Sequence, residues 1–284
     1  MTAVTISQAS STTGTAGSVA RLREVPPSVL LSFAILALVL LWSLFPGWFT
    51  TQNPHEGVTS EALIGPSAAH WFGTDHLGRD LFARVVHGTA TSVSSALIAV
   101  AIGLVVGGVI GLLSGFLGRW VDVTLSRFID VLLAIPSFLL AVVIVSSLGF
   151  QTVNAAIATG VSAVAVFARV MRSEVLKTRS AVYVEASELL GGNRWHVLIR
   201  HVLPNAWRPV LTLAVLQFGL SILIIAGLAF LGYGDPPPAS DWGLLVSSGK
   251  DYPTATWLVA APAAVTVATV LSINRVSRWL RNTN

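Results

Sequence analysis

Long apolar stretches alternate with short polar ones along most of the chain. The first uncharged run covers residues 28–45, and a second one covers the 31 residues from 88 to 118. Further apolar stretches follow at 121–148, 153–171, 209–232 and 256–274. A helix of about 20 apolar residues is long enough to cross the hydrocarbon core of a bilayer. The pattern therefore predicts an all-α, polytopic membrane protein with six transmembrane helices.

The predicted spans divide the chain into five parts. Residues 1–27 form a disordered, basic N-terminus, 28–48 the first transmembrane helix, and 49–88 an external segment with an amphipathic helix. Residues 89–274 form a five-helix core that contains a cytoplasmic loop at 173–208, and residues 275–284 form a tail. The first apolar run could be a signal peptide, but bulky Leu44, Phe45 and Pro46 occupy its end in place of a small-x-small cleavage site, so we expect it to remain uncleaved.

Composition supports the membrane class independently. Of the 284 residues, 54% are hydrophobic and 11% are charged, whereas a soluble domain has about 25% charged residues. The absence of cysteine excludes a disulfide framework and thiolate metal sites. The sequence pI near 10.1 could suggest nucleic acid, but the net charge is only +4. Since the basic residues lie beside apolar spans, we expect a lipid membrane and no nucleic acid as the partner.

The basic residues predict the orientation of the spans. Six spans place both ends of the chain on one side, together with 14 of the 17 basic residues and the loop around Glu185. Only Arg79, Arg84 and Lys250 fall on the other side. Because cytoplasmic loops carry an excess of Lys and Arg, this loop and both termini are predicted to be cytoplasmic.

The external segment contains pairs of opposite charges. Residues 75–87 have helical character, and the spacing predicts ion pairs of Asp75 with Arg79 and of Asp80 with Arg84. This helix is either a solvated surface face or part of a functional face. Four histidines lie nearby, but their spacings of 15, 6 and 11 residues put no two on one helical face, so no metal site is predicted.

Small residues recur at every fourth position of the second span. Four of them are glycines: Gly103, Gly107, Gly111 and Gly115. Since small residues at this spacing let two helices approach closely, the stripe predicts a helix-packing face. In the third span, Arg127 and Asp130 can pair at the membrane edge, and Pro136 predicts a kink. In the fifth span, the amide of Gln217 either bonds a neighbouring helix or lines a polar pathway.

The longest polar interruption among the spans lies at residues 183–205. Residues 184–190 can form a short helix that Gly191 and Gly192 end, since glycine adopts the left-handed C-cap conformation at no steric cost. Residues 195–201 can form a second short helix that Pro204 ends or tilts. A helix, a glycine turn and a second helix between two spans predict a docking element for a soluble partner.

Three segments resemble one family of transporters. Glu185-Ala186-Ser187, Gly191 and His201-x-Leu203-Pro204 resemble the EAA loop of ABC importer permeases, with Ser187 in place of the usual third alanine. Residues 73–80, GTDHLGRD, resemble the GTDxxGRD segment of the dipeptide/oligopeptide/nickel branch, in its second (C-type) subunit. Residues 230–243 resemble the FLGxGxxPPxxxWG segment of the same branch.

The resemblance implies a type I importer permease fold in the bacterial cytoplasmic membrane. It implies a homologous permease subunit, cytoplasmic ATPase subunits that bind ATP and Mg, and an external solute-binding protein as partners, with no cofactor in this chain. It also implies an ATPase-coupling role for Glu185, Ala186, Ser187, Gly191, His201, Leu203 and Pro204. The external motif comprises Gly73, Thr74, Asp75, Gly78, Arg79 and Asp80.

The chain shows no energy source or catalytic centre of its own. The pair Gly249-Lys250 lacks the first glycine of a phosphate-binding loop and is followed by Asp251, and no nucleophile–base pattern appears. These observations predict a non-enzymatic subunit that is powered by others, and the resemblance implies that it is a permease subunit for di- or oligopeptides or similarly sized polar solutes. An ion-coupled secondary transporter and a membrane-embedded enzyme remain as alternatives, although no paired half-repeats and few intramembrane charges support them.

Overall fold

The computed structural model describes residues 26–189 and 193–283, and within these ranges it contains helices and loops but no β-strand. The α-helices are α1 (Pro27–Leu44), α2 (Leu81–Ile102), α3 (Gly108–Leu117), α4 (Arg119–Ala134), α5 (Ser137–Leu148), α6 (Thr152–Arg179), α7 (Val182–Leu189), α8 (Arg194–Val197), α9 (Leu203–Phe230), α10 (Trp242–Gly249) and α11 (Trp257–Thr283). Two π-helical turns, Gly103–Gly107 and Leu198–Val202, join α2 to α3 and α8 to α9.

Five continuous helices are long and apolar enough to cross a membrane. They are Pro27–Leu44, Leu81–Leu117, Thr152–Arg179, Trp195–Phe230 and Trp257–Arg281. Helices α4 and α5 make a sixth candidate span if they are taken together, although they meet at an angle of 91°. The prediction of an all-α polytopic membrane protein is confirmed.

The third predicted span is broken rather than merely kinked. Ile135 between α4 and α5 has an extended backbone, with φ −91° and ψ 126°. Proline disfavours the helical conformation of the residue before it, so Pro136 accounts for the position of the break. Helices α4 and α5 consequently run in different directions. Most side chains of α4 lie at the surface of the chain, and only Ile129 is buried.

The external helix differs from its prediction at both ends. It does not begin at Asp75 but at Leu81, and the Asp80 side chain caps it by accepting a hydrogen bond from the Ala83 N–H at 2.7 Å. The helix also does not end at His87 as a separate surface element. It continues without interruption into the second span, and Leu81 and Phe82 at its start are buried in the core.

Helix α6 lies at the centre of the fold and packs against α2, α3, α5 and α9. The glycine stripe faces it. A Cβ atom at Gly107 would collide with the carbonyl oxygen of Val164, and one at Gly111 would collide with that of Ala168. A Cβ atom at Gly103 would lie 2.9 Å from the Phe167 side chain, and one at Gly115 would lie 2.8 Å from the Val175 side chain, both in the same helix. Because glycine lowers helix stability by about 1 kcal/mol relative to alanine, these four residues are explained by the close approach of two backbones.

Candidate functional site

The external motif forms a buried network around the carboxylate of Asp75. Its Oδ1 accepts hydrogen bonds from the N–H groups of Leu77 at 2.8 Å and Arg79 at 3.0 Å, and its Oδ2 accepts one from Nε of Arg79 at 2.7 Å. Burial alone would raise the pKa of Asp75, but the hydrogen bonds from Arg79 and Leu77 outweigh it and hold the pKa below its usual value. The Asp75–Arg79 pair therefore forms as the spacing predicts, although in a loop and not on a helix.

Glycine makes the loop possible. Gly73 and Gly78 both have a positive φ, 76° and 73°, which only glycine adopts easily. A Cβ at Gly78 would also collide with the carbonyl group of Val58, so the chain crosses itself at this point. Thr74 is fully buried beside this crossing, where its hydroxyl accepts a hydrogen bond from the Ile64 N–H at 2.8 Å.

Arg84 joins the external motif to the loop after α9. Its Nη1 donates to Oδ2 of Asp75 at 2.7 Å, and its Nη2 donates to the carbonyl oxygen of Ala239 at 2.8 Å. The predicted pairing of Asp80 with Arg84 is therefore wrong. The Oδ2 atom of Asp80 instead lies 2.9 Å from Nδ1 of His70, because Asp80 is the N-cap of α2 and lies outside its regular turns.

The segment Asp241-Trp242-Gly243 is inserted between α2 and α9. Trp242 is completely buried, and its indole N–H donates to the carbonyl oxygen of Val85 at 3.3 Å. A Cβ at Gly88 of α2 would collide with the carbonyl oxygen of Ser240. The two segments that carry the branch resemblance, residues 73–80 and 230–243, are thus packed together on one end of the helix bundle.

Asp241 caps α10 within this contact. Its Oδ1 accepts from the Leu244 N–H at 3.1 Å, while its Oδ2 is buried without a hydrogen-bond partner among the described residues. Burial raises the pKa of Asp241, although the N–H groups of Leu244 and Gly243 act in the opposite direction. Among the described residues, no three His, Asp or Glu side chains are grouped closely enough to hold a metal ion.

At the opposite end of α6, two ion pairs hold α4 in place. Arg172 makes two hydrogen bonds to the carboxylate of Asp122, at 2.6 and 2.8 Å. Arg169 pairs with Asp130 at 2.6 Å, so the predicted pairing of Asp130 with Arg127 is wrong. The bend after α4 brings α4 back across α6, and Asp130 therefore meets a residue from a different helix.

The predicted docking element follows directly from this end of α6. Arg179 in the last turn of α6 donates to the carbonyl oxygens of Gly115 and Phe116, at 3.1 and 2.9 Å, and so ties α6 to the end of α3. Helix α7 begins after one turn, and its residues include Glu185, Ala186 and Ser187. Gly191 and the side chains of Glu185 and Ala186 lie outside the described part of the structure.

Two faces of the docking element differ in exposure. Val184 and Val197 are buried against the core, whereas Val182 is 81% exposed and Trp195 is 57% exposed. The ring of His201 lies 6.3 Å from that of Tyr183. Apolar side chains anchor the element on one side and are presented outward on the other.

Pro204 does not end the second short helix. The helix runs from Trp195 through Leu203 and Pro204 to Phe230. The π-helical turn Leu198–Val202 interrupts the α-helical hydrogen bonding shortly before Pro204, which has no N–H to contribute. Further along this helix, in α9, Gln217 is half-buried.

Sequence spacing could not identify two of these contacts. The hydrogen bond from Arg84 to residue 239 spans 155 positions, and that from Arg172 to Asp122 spans 50. One signal for the contacts of Arg84 was available in the sequence: it is an arginine at the start of a long apolar helix. A charge that becomes buried in such a place requires partners.

Comparisons with known proteins place these elements in a family. The family described as "Binding-protein-dependent transport system inner membrane component" matches residues 107–283. A probable D,D-dipeptide transport system permease protein of Escherichia coli (strain K12) is 36% identical over 257 residues, which cover 90% of this chain and 86% of that protein. A dipeptide transport system permease protein of Alkalihalophilus pseudofirmus is 37% identical over 249 residues, covering 87% of this chain and 82% of that protein.

The fold also resembles that of a solved ABC transporter. A chain from the inward-facing structure of the MetNI methionine ABC transporter superimposes with a TM-score of 0.58 at 17% identity, covering 71% of this chain and 96% of that chain. The chain therefore belongs to the family of binding-protein-dependent transport system inner membrane components, and it is a membrane permease subunit of an ABC importer rather than an enzyme.

Proposed function

We propose that this permease subunit moves dipeptides or similarly sized peptide-like solutes across the bacterial cytoplasmic membrane. The observation that carries the substrate class is the similarity to two peptide-transport permeases, at 36% and 37% identity over most of both chains. ATP and Mg are bound by partner ATPase subunits, which supply the energy, and a homologous permease subunit completes the pathway.

The docking element around α7 is the proposed contact with the ATPase. Val182, Tyr183 and Trp195 offer exposed apolar surface next to Glu185, whose backbone lies in the first turn of α7. A carboxylate in that position favours the positive end of the helix dipole. Because Arg179 binds the end of α3, movement of α7 is transmitted to α6 and α3 together. We propose that this is the route by which ATP hydrolysis moves the spans.

The opposite end of the bundle is the proposed contact with the solute-binding protein. The motif at residues 73–80 and the loop at residues 233–241 are joined there by Arg84. Rigid packing of Trp242 between α2 and α9 means that a protein bound to either segment acts on both helices. The excess of basic residues near α7 supports placing α7 in the cytoplasm and this end outside.

The decisive experiment uses the complete transporter reconstituted in proteoliposomes. Val182→Glu should reduce recovery of the ATPase subunits and dipeptide uptake by at least tenfold, because it puts a charge on an exposed apolar docking face. Val58→Glu is the matched control for ATPase recovery, since Val58 is also exposed, at 55%, but lies at the other end of the bundle, against the motif at residues 73–80. Normal ATPase recovery and uptake with Val182→Glu would contradict the docking proposal.

The substrate class is tested separately in the same proteoliposomes. Labelled dipeptides should be accumulated in an ATP-dependent manner when the cognate binding protein is present. Uptake driven by an ion gradient without ATP would instead support the secondary-transporter alternative.

A further inference from the structure

A groove opens beside α9 at the end of the bundle that carries α7. Its volume is about 990 Å³, and its lining includes Val170 of α6, Arg208, Leu211, Leu213 and Leu216 of α9, and Arg281 of α11. The groove therefore lies where three membrane-spanning helices meet.

The lining changes from charged to apolar along the groove. Arg208 is near the start of α9 and Arg281 is in the last turn of α11, so both guanidinium groups lie at the same end. Leu216 lies two turns further along α9, about 12 Å deeper into the bilayer at 1.5 Å per residue. Leu211 is 45% exposed along this wall. The groove thus has a cationic mouth and a hydrocarbon-like interior.

Neither arginine has an acidic partner within residues 26–189 and 193–283. This distinguishes them from Arg84 and Arg172, which are both held by carboxylates. Two guanidinium groups at the mouth of one groove are complementary to a phosphate group, since arginine presents a planar set of donors to phosphate oxygens.

We propose that this groove binds an anionic phospholipid from the cytoplasmic leaflet, with the headgroup phosphate at Arg208 and Arg281 and an acyl chain along Leu211, Leu213 and Leu216. The placement in the cytoplasmic leaflet rests on the proposed orientation. Basic pockets between transmembrane helices on the cytoplasmic side are suited to such headgroups. A protein helix in the same groove would have to supply an acidic group for each arginine, whereas a phospholipid brings both the charge and the apolar chain.

The bound lipid would contact both α9 and α11, and these two helices pack against different parts of the fold. Helix α9 follows directly from the docking element, and α11 packs on α9 as well as on α1 and α10. A lipid held between α9 and α11 therefore stabilises one relative position of the two helices. We expect the lipid to set how readily α9 moves when α7 is displaced.

The test is native mass spectrometry of the purified complex, titrated with phosphatidylglycerol or with zwitterionic phosphatidylethanolamine. The double variant Arg208→Gln/Arg281→Gln should bind phosphatidylglycerol roughly thirtyfold more weakly, the effect of removing two basic groups from an anionic membrane surface. Arg278→Gln is the matched control, since Arg278 is an exposed arginine of α11 outside the groove lining, and it should bind as the wild type does. Arg208→Lys/Arg281→Lys should retain most of the binding.

Several outcomes would overturn the proposal. These are equal binding of the two lipids by the wild type, an unchanged affinity in the double glutamine variant, or displacement of phosphatidylglycerol by millimolar inorganic phosphate. Loss of the partner permease from the double variant would show that a protein chain occupies the groove. Leu213→Trp provides an independent arm, because it fills the apolar part without changing charge and should also weaken binding. Lipid binding is measured without ATP or solute, so its failure is distinguishable from failure of peptide transport.

Discussion

The Nη1 atom of Arg84 lies 2.7 Å from Oδ2 of Asp75, and this contact joins the first turn of α2 to the loop that precedes it. Both side chains are buried, and the same guanidinium group donates to the carbonyl oxygen of Ala239. One arginine therefore fixes the external motif, the first turn of α2 and the loop before α10 relative to one another.

Arg84→Met should destabilise the fold strongly. It removes one of the two arginines that pair with the buried Asp75 carboxylate, Arg79 being the other, and it removes the Arg84 donor to the Ala239 carbonyl. Loss of one member of a buried ion pair costs up to about 3–5 kcal/mol. Thermal unfolding of the purified subunit or complex measures the change. Lys177→Met is the control, because the Lys177 side chain is 80% exposed and should be neutral. Equal melting temperatures for the two variants would contradict a structural role for Arg84.

The glycine interface can be tested with single methyl groups at adjacent positions. Gly107→Ala should destabilise by about 1–3 kcal/mol, because its Cβ would collide with the backbone of α6. Gly108→Ala is the control, since its Cβ would meet its nearest neighbours at 3.7 Å, an ordinary contact distance. Recovery of folded protein and its melting temperature report the difference. If both variants behave alike, the close contact of α2 and α3 with α6 is wrong.

The stability of the end of the bundle that carries residues 73–80 and 233–241 should depend on pH through Asp241. Burial raises its pKa, so the folded chain takes up a proton at a higher pH than the unfolded chain, whose value is near 3.8. The free energy of unfolding of the wild type therefore increases as the pH falls through the raised pKa towards 3.8. The Asp241→Asn variant can still cap α10, but its side chain does not titrate, so its free energy of unfolding does not increase in this way.

We expect Asp241→Asn to be more stable than the wild type at neutral pH, with the difference shrinking on acidification. Melting temperatures between pH 7 and pH 4 measure this trend. Asp251→Asn, at an exposed position nearby, should show no such convergence. A stability difference that stays constant with pH would exclude the titration of Asp241 as its cause.

The proposed orientation is tested by reporter fusions. Fusions after Gln52 and after Asp241 should report an external position, and fusions after Gly192 and Asn284 a cytoplasmic one. An enzyme that is active only outside the membrane and a fluorescent protein that folds only inside give complementary readouts. A cytoplasmic signal at Gln52 together with an external one at Gly192 would reverse the orientation.

The membrane spans could be predicted because length and apolarity alone define them. Residues 28–45 and 88–118 carry no charge, and both form helices in the structure. The position of the break at Pro136 could also be predicted, since proline restricts the residue before it. Its angle of 91° could not, because the contacts of α4 with α6 determine where the chain goes after the break.

The ion pairs were predicted less well because the spacing rule presupposes a helix. Asp80 and Arg84 are four residues apart, but Asp80 is a cap and lies outside the regular helix. The partner carboxylate, Asp75, belongs to a loop that two glycines with positive φ hold in place. Such a loop brings together residues whose sequence separation carries no information about their distance.

The π-helical turn at Gly103–Gly107 has a consequence for the alignment of the glycine stripe. In a regular α-helix each residue advances by about 100°, so four residues overshoot a full turn by about 40°. Three such steps from Gly103 to Gly115 would carry the stripe about 120° around the axis and away from a straight neighbour. A π-helical turn advances by less per residue and removes part of this drift. The wide turn thus acts as a phase correction that keeps all four glycines on α6, and deleting a single residue from it would rotate Gly111 and Gly115 out of the interface.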